Sequence, residues 1–386
     1  MIAYSTTAIY NLFVRKQAAE ALDQNYLPQV EYDAILTRFP VDFYSPNLFI
    51  RIGLLILTLV IQLFSFGIGV LLFQSLSDIF LSGLAIFFGL LVYTALEYMV
   101  KNNKHFRSGV DDALLWGAAG ALFGGISYIT KAGDLSNCIL IFIIALYGAI
   151  RFANRLISVA AYIALLGVVF FGSIKLGAPV KTFLPFFIMG ISALIYFLVK
   201  RLKSFTDNHL YHQCLSILLI ATMLGFYTGG NYFIVRECSN ELFNLNLAPG
   251  ESIPFGWLFW VLTFIIPVIY LGKGIQQNSS IKIRVGLVLI AAIVFTVRYY
   301  HSILAIEICM SIAGLVLIVI AYGLTRYLKS PKHGFANVDF GSKDTIAKLQ
   351  VESLVVSSTF NNQPADVGNN KFGGGDFGGG GSSGEF

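Results

Sequence analysis

Residues 52–73, IGLLILTLVIQLFSFGIGVLLF, form one continuous apolar run that contains no charged side chain. A helix of about 20 apolar residues crosses the hydrocarbon core of a bilayer, because lipid offers the backbone no hydrogen-bond partner and the helix satisfies its own polar groups. Similar runs follow, and the predicted spans are residues 52–73, 79–98, 110–129, 135–150, 156–174, 181–199, 211–235, 254–272, 282–298 and 303–325. The sequence therefore predicts an all-α protein, a polytopic transmembrane helix bundle of about ten spans.

The composition agrees with this prediction and excludes several other classes of protein. Hydrophobic residues make up 56% of the chain and charged residues only 12%, against about 25% charged residues in soluble domains. The net charge of +5 fits the basic loops of a membrane protein, and we expect no nucleic-acid partner. The four cysteines show no CxxC or Cys/His spacing, so we expect no metal site and no cofactor.

Lysine and arginine are concentrated in alternate loops, which predicts the orientation of the chain. With the N-terminus in the cytoplasm, the inner loops hold Lys101, Lys104, Arg107, Arg151, Arg155, Lys200, Arg201, Lys203, Lys273, Lys282 and Arg284. The outer loops hold fewer basic residues, namely Lys131, Lys175, Lys181, Arg236 and Arg298. An even number of spans then places the C-terminus in the cytoplasm as well.

The segments outside the spans divide the chain into four predicted parts. These are a cytosolic helical hairpin at residues 1–48, the transmembrane helical domain at 49–328, a juxtamembrane segment with one short helix at 329–360 and a disordered tail at 361–386. The hairpin is expected to contain a helix over Thr6–Leu22 and a second helix from Pro28 to about Arg38. It is interpreted either as an amphipathic cap on the membrane domain or as a module that docks a protein partner.

The tail is rich in glycine, asparagine and serine. Such a stretch cannot bury enough apolar surface to offset its ordering entropy, which predicts disorder. Its sequence, Phe372-GGG-Asp376-Phe377-GGGG-SSGE-Phe386, resembles the Gly/Phe-rich endings of bacterial TPM-domain membrane proteins. The spaced phenylalanines leave two interpretations open, an inert tail and weak docking to a membrane or a protein partner.

A second resemblance concerns the order of the predicted parts. The hairpin, with AAEALDQNYL at residues 18–27 and YDAI at residues 32–35, is followed by FIRIG at residues 49–53 and then by many apolar spans. This arrangement is similar to that of predicted bacterial membrane proteins of the DUF2157-like kind. The last span, which begins near Ser311, also looks like their closing helix. The resemblance implies a multi-pass protein of the bacterial cytoplasmic (inner) membrane and no catalytic residues.

An ionisable side chain inside a membrane is costly, so each one is a candidate functional residue. Glu97 ends the second predicted span, and Asp111 and Asp112 open the third. All lie at the inner interface, where water and nearby cations satisfy them, so we expect structural roles for them.

The ninth and tenth spans carry a candidate intramembrane polar pair. Arg298 closes the ninth span, and Glu307 lies about one turn into the tenth. Pairing across the tight hairpin would spare both residues an unmatched charge. The alternative is a proton-binding pair of Glu307 and His301, since histidine titrates near neutral pH.

Two further motifs involve small residues. Gly229, Gly230 and Asn231, near the outer end of the seventh span, form a candidate helix break of the kind found in transporters, although fraying of the helix end explains them equally simply. The third span carries a candidate helix-packing face with small-xxx-small spacing, formed by Gly117, Gly120, Ala121, Gly124 and Gly125. Such spacing lets another helix approach closely, and in a ten-helix protein that helix is more often internal than in a second subunit.

The function indicated by these features is that of a non-enzymatic scaffold or accessory subunit of a bacterial membrane complex. Intramembrane charges are scarce, while the hairpin and the tail offer two soluble pieces that can bind a membrane or cytosolic protein. The alternative is a transporter of a small or lipophilic substrate. A lipid-modifying enzyme is third, because it would need clustered His, Asp or Glu, and only Asp207, His209 and His212 lie close together.

Overall fold

The computed structural model describes residues 2–23, 25–73, 75, 77–176, 178–204, 210–243, 251–277 and 279–300, together with Ser311, Gly314, Leu315, Ile318 and Tyr322. Over these residues the chain is helical and forms no strand beyond one isolated bridge between Tyr44 and His105. The juxtamembrane segment, the tail and most of the tenth predicted span lie outside the described residues.

The described part of the chain contains twelve helices. In chain order they are α1 (Thr6–Asp23), α2 (Gln29–Arg38), α3 (Leu48–Phe73), α4 (Asp78–Lys101), α5 (Val110–Thr130), α6 (Asp134–Phe152), α7 (Arg155–Lys175), α8 (Ala178–Ser204), α9 (His212–Gly230), α10 (Tyr232–Phe243), α11 (Gly256–Gln276) and α12 (Ser280–Tyr300). All except α1, α2 and α10 are long and apolar enough to cross a bilayer. The predicted fold class is thus confirmed: the chain is a polytopic helical membrane protein.

Consecutive spans pack as antiparallel pairs, of which α4 with α5, α6 with α7 and α8 with α9 are the most extensive. Gly125 explains the close approach of α5 to α4, because a Cβ at this position would lie 2.7 Å from the carbonyl oxygen of Ser82. Gly117 lies against the side chain of Gln62 in α3. Gly120 and Gly124, by contrast, have no neighbour within 4 Å of such a Cβ. The predicted packing face is therefore divided, and its packed part contacts helices of the same chain.

The outer surface of the bundle is apolar, as expected of helices that face lipid. In α3 only Gln62 is buried. Its neighbours Leu63 and Phe64 are exposed, and each of the remaining spans also has exposed large apolar side chains. The buried apolar side chains form a large cluster that joins Tyr4 and Ile9 of the N-terminal segment to α4–α7, and smaller clusters among α8–α12.

The N-terminal hairpin, α1 and α2, is attached to one end of the bundle, which we call the hairpin face. Arg15 joins its two helices by donating to the backbone oxygens of Leu36 and Phe39. The backbone N–H of Ala3 donates to the carbonyl oxygen of Arg151 at 2.8 Å, which ties the segment before α1 to the end of α6. No side chain of α2 is buried, so this helix presents its surface to the surroundings.

Candidate functional site: an arginine-lined pocket

A cavity of about 430 Å³ lies at the hairpin face, between the N-terminal segment and the ends of α3, α5 and α7. Its polar lining is formed by Tyr4, Arg51, Arg107, Asp111, Asp112, Asn154 and Arg155. The apolar lining includes Leu55, Leu59, Trp116 and Leu156. Three arginines from distant parts of the sequence thus line one cavity, which we call the arginine pocket.

Arg107 lies in the loop between α4 and α5, and the buried carboxylate of Asp111 holds this loop in place. Asp111 accepts hydrogen bonds from the backbone N–H of Arg107 at 2.7 Å and of Ser108 at 2.9 Å. The Ser108 hydroxyl adds a third bond at 3.1 Å. Gly109 has a φ of 90°, and a Cβ there would collide with the carbonyl oxygen of Arg51. Glycine therefore lets the loop lie directly against α3.

Tyr4 closes the pocket on the side of the N-terminal segment. Its hydroxyl donates to Asp111 Oδ2 at 3.1 Å, and its ring makes edge-on contacts with Phe106 and Phe152. Burial, followed by the nearby Asp111 carboxylate, raises the pKa of Tyr4 well above its ordinary value. The phenol therefore stays a hydrogen-bond donor at neutral pH.

Asp112 connects three helices across the pocket. Its carboxylate accepts from the Arg51 guanidinium of α3 and from the Asn154 amide at 2.6 Å. The oxygen of that amide caps the N-terminus of α7 by accepting from the backbone N–H of Leu156 at 3.0 Å and of Ile157 at 3.1 Å. Arg51 is thus the arginine of the pocket whose charge is matched by a carboxylate.

The other two arginines, Arg107 and Arg155, form no ion pair with a carboxylate among the described residues. The Arg107 guanidinium lies 5.0 Å from the centre of the Phe106 ring, and Arg155 donates to the amide oxygen of Gln213. Burial, followed by the charges of Arg155 and Arg51, lowers the pKa of Arg107 to about 10. Arg107 stays charged at neutral pH, and an anion between these guanidinium groups would relieve their repulsion.

Glu97 lies near the end of α4, outside the pocket lining, and is bound by neighbouring cations. It accepts two bonds of 2.9 Å from the Arg151 guanidinium, one from Lys101 at 2.9 Å and one from the Tyr93 hydroxyl at 2.8 Å. Lys104, in the loop after α4, pairs with Asp42. These contacts fix the ends of α4 and α6 relative to each other.

The candidate helix break coincides with the end of α9. The backbone leaves the helix at Asn231, where ψ is 124°, and α10 begins at the next residue. Asn231 is 1% exposed and donates to the hydroxyls of Tyr227 and Thr296, while its oxygen accepts from the N–H of Ile234. The predicted span 211–235 is therefore two helices, and the bonds of Asn231 cap the start of the second.

The candidate polar pair is only partly described. Arg298 lies near the end of α12, and its Nε is buried without a hydrogen-bond partner among the described residues. Glu307 and His301 lie outside those residues, so their pairing with Arg298 stays a prediction. Two residues after Arg298, the Tyr300 hydroxyl donates to Glu237 of α10 at 2.7 Å.

In the ranges that the structure describes, no three His, Cys, Asp or Glu side chains are grouped so as to hold a metal ion. Asp207 and His209 lie outside these ranges. No protein-family model matches the chain, and neither a curated protein nor a solved structure matches it significantly. The resemblance to DUF2157-like proteins therefore remains a proposal.

The charge pattern of the sequence places Arg107 and Arg155 in inner loops, but it does not bring them together with Arg51. One signal was available, because these arginines stand at or near the inner ends of the first, third and fifth spans. In a chain of antiparallel spans, the first, third and fifth spans all start at the same side of the membrane. The three arginines therefore lie at one face of the bundle. The three arginines line one cavity because of which helices pack next to each other. The distribution of charges in the sequence does not show this packing.

Proposed function

We propose that this chain is a non-enzymatic protein of the bacterial cytoplasmic membrane that binds an anionic group in the arginine pocket and serves as an accessory subunit or scaffold. The observation that carries the proposal is the set of three arginines around one cavity, of which only Arg51 forms a direct ion pair with a carboxylate in the described chain. Guanidinium groups recognise phosphate and carboxylate through paired hydrogen bonds. We propose that the ligand carries a phosphate group, which the guanidinium groups of the pocket can bind in this way.

The two acidic residues of the pocket support a binding role rather than a catalytic one. Asp111 is 3% exposed and is engaged by donors from Tyr4, Arg107 and Ser108. Asp112 accepts hydrogen bonds from the Arg51 guanidinium and the Asn154 amide. A general base must be within hydrogen-bond reach of the proton that it removes, and these carboxylates already serve as anchors for the surrounding loops and helices.

The role as a scaffold is supported by the connection between the pocket and the N-terminal hairpin. Tyr4 lines the pocket and stands two residues before α1, and Ile9 of α1 is buried in the same apolar cluster. A ligand in the pocket therefore stabilises the position of the hairpin. On α2, Val30 is exposed and available to a cytosolic partner. The excess of basic residues at the hairpin face supports its placement in the cytosol.

A thermal-stability titration tests whether the pocket binds an anion. The full-length protein in an uncharged detergent is titrated with inorganic phosphate against chloride at constant ionic strength. Specific binding raises the unfolding midpoint, by the equivalent of about 2.7 kcal/mol at a hundred times the dissociation constant. The substitutions Arg107→Gln and Arg155→Gln should abolish the shift.

Arg38→Gln is the matched control, since Arg38 is exposed on α2 and away from the pocket lining. It removes the same charge and should leave the phosphate shift unchanged. An equal shift in the wild type, the pocket variants and the control would mean that phosphate acts on the surface in general, and the proposal would then be wrong.

A further inference from the structure

We infer that the ligand of the arginine pocket is an anionic phospholipid, with its phosphate between Arg107 and Arg155 and its acyl chain along the apolar side of the cavity. This inference rests on the proposed function and names the class of the ligand. Three observations support it: the change of lining along the helices, the position of the apolar side within the spans, and the size of the cavity.

The lining of the pocket changes from charged to apolar along the helix axes. On α3, Arg51, Leu55 and Leu59 line the cavity on successive turns, over about 12 Å at 1.5 Å per residue. On α5, Asp112 and Trp116 repeat the change over about 6 Å. The charged end lies at the hairpin face, and the apolar end lies deeper in the spans. A free anion would contact only the charged end, whereas a phospholipid contacts the charged end with its phosphate and the apolar end with its acyl chain.

The apolar side of the pocket includes side chains that are exposed on helices long and apolar enough to cross a bilayer. Trp116 of α5 and Leu156 of α7 line the cavity and are 39% and 63% exposed. Both helices are candidate spans, so the medium around these side chains is hydrocarbon or its boundary. A lipid can therefore enter the cavity sideways from the bilayer, with its headgroup at the depth of the arginines.

The size of the cavity also favours a lipid. A water molecule takes about 30 Å³, so a phosphate ion with its five heavy atoms would leave most of the 430 Å³ unfilled. Small-molecule sites usually have volumes of about 300–1,000 Å³. A phosphate, a glycerol unit and the first part of an acyl chain fill such a space. The phosphate then lies against the charged lining and the acyl chain against the apolar lining.

Trp116 provides a direct reporter of this lipid, because bromine atoms on an acyl chain quench tryptophan fluorescence on contact. The full-length protein is reduced to a single tryptophan by Trp257→Phe and Trp260→Phe. It is then reconstituted in phosphatidylcholine vesicles that contain a minor fraction of brominated phosphatidylglycerol. We expect quenching of Trp116 that corresponds to about a tenfold local enrichment, equivalent to about 1.4 kcal/mol.

Two controls separate the pocket from lipid contact in general. Brominated phosphatidylcholine at the same fraction should quench Trp116 only in proportion to its abundance. A variant that retains only Trp257, which is 70% exposed on α11, should show no preference for phosphatidylglycerol. Adding Arg107→Gln and Arg155→Gln should remove the preference at Trp116, while Lys101→Gln at the same face should keep it. Arg155→Gln alone replaces the double variant if that protein does not fold.

The outcomes also separate this inference from the proposed function. Equal quenching of Trp116 by the two brominated lipids overturns the lipid assignment. If the stabilisation by inorganic phosphate persists in that case, the pocket binds a soluble anion and the proposed function stands. If both effects are absent, the arginine pocket is not an anion site. Enrichment that survives the loss of Arg107 and Arg155 places the lipid elsewhere on this face and also overturns the inference.

Discussion

Tyr4 donates a hydrogen bond to Asp111 across 107 positions of sequence, and this contact ties the N-terminal segment to the arginine pocket. The same carboxylate accepts the backbone N–H groups of Arg107 and Ser108. One buried acidic residue thus positions both the segment that leads into the hairpin and the loop that supplies an arginine. The hairpin and the pocket should therefore respond together to substitution and to ligand.

Tyr4→Phe tests the contribution of this contact. The change leaves the ring in place but removes one of the donors to a buried carboxylate, which should lower the free energy of unfolding by about 1–3 kcal/mol. Tyr26→Phe is the control, because Tyr26 is 79% exposed and its hydroxyl should contribute little. Chemical or thermal unfolding in detergent gives both values. Equal stabilities of the two variants would show that the Tyr4 bond contributes nothing.

The Glu97–Arg151 pair should show strong energetic coupling. Two bonds of 2.9 Å join these side chains, which are 15% and 21% exposed. Loss of either partner removes both of these bonds from a partly buried charge, so a double-mutant cycle with Glu97→Gln and Arg151→Met should give about 1–3 kcal/mol of coupling. The exposed pair Lys16–Glu20 is the matched control and should give about 0.5 kcal/mol or less. Additive losses at the first pair would contradict its assignment.

Gly125 and Gly124 are adjacent but should respond in opposite ways to alanine. A Cβ at Gly125 would lie 2.6 Å from the Ile86 side chain and 2.7 Å from the Ser82 carbonyl oxygen, whereas Gly124 has open space around it. Gly125→Ala should therefore destabilise the protein by about 1–3 kcal/mol. Gly124→Ala should be neutral or add up to about 1 kcal/mol through helix propensity. Similar thermal shifts for the two variants would argue against the close packing of α4 and α5.

The orientation of the chain can be measured with reporter fusions. A reporter placed after Lys203, at the end of α8, should be cytoplasmic, because basic residues are concentrated at that face. A reporter within residues 240–248 should be external. A cytoplasmic signal from the second fusion would contradict the span count, and an external signal from the first would contradict the placement of the arginine pocket at the cytoplasmic face.

The spans were predictable because apolar length alone decides whether a helix can cross a bilayer. The predicted span 79–98 became α4 (Asp78–Lys101), which continues into polar residues, since a helix persists until a residue disrupts its backbone bonds. Asn231 is such a residue: its side chain competes for backbone hydrogen bonds and divides the predicted span 211–235.

The arginine pocket was not predictable in the same way. Its contacts join Tyr4 to Asp111 and Arg51 to Asp112, pairs that no periodic pattern connects. Hydropathy places each residue at a depth in the membrane, but it does not determine which helices are neighbours. The pocket depends on which helices are neighbours and on the loop conformation at Gly109, which has a positive φ. A single glycine in the sequence does not show that its backbone adopts such a conformation.

A density map of the full-length protein in nanodiscs that contain phosphatidylglycerol tests directly whether a phospholipid occupies the arginine pocket. The lipid assignment predicts phosphate density within hydrogen-bond distance of Arg107 and Arg155, continuous with an acyl chain that passes Trp116. A pocket that contains only water, with lipid density confined to the outer surface of the spans, would contradict it.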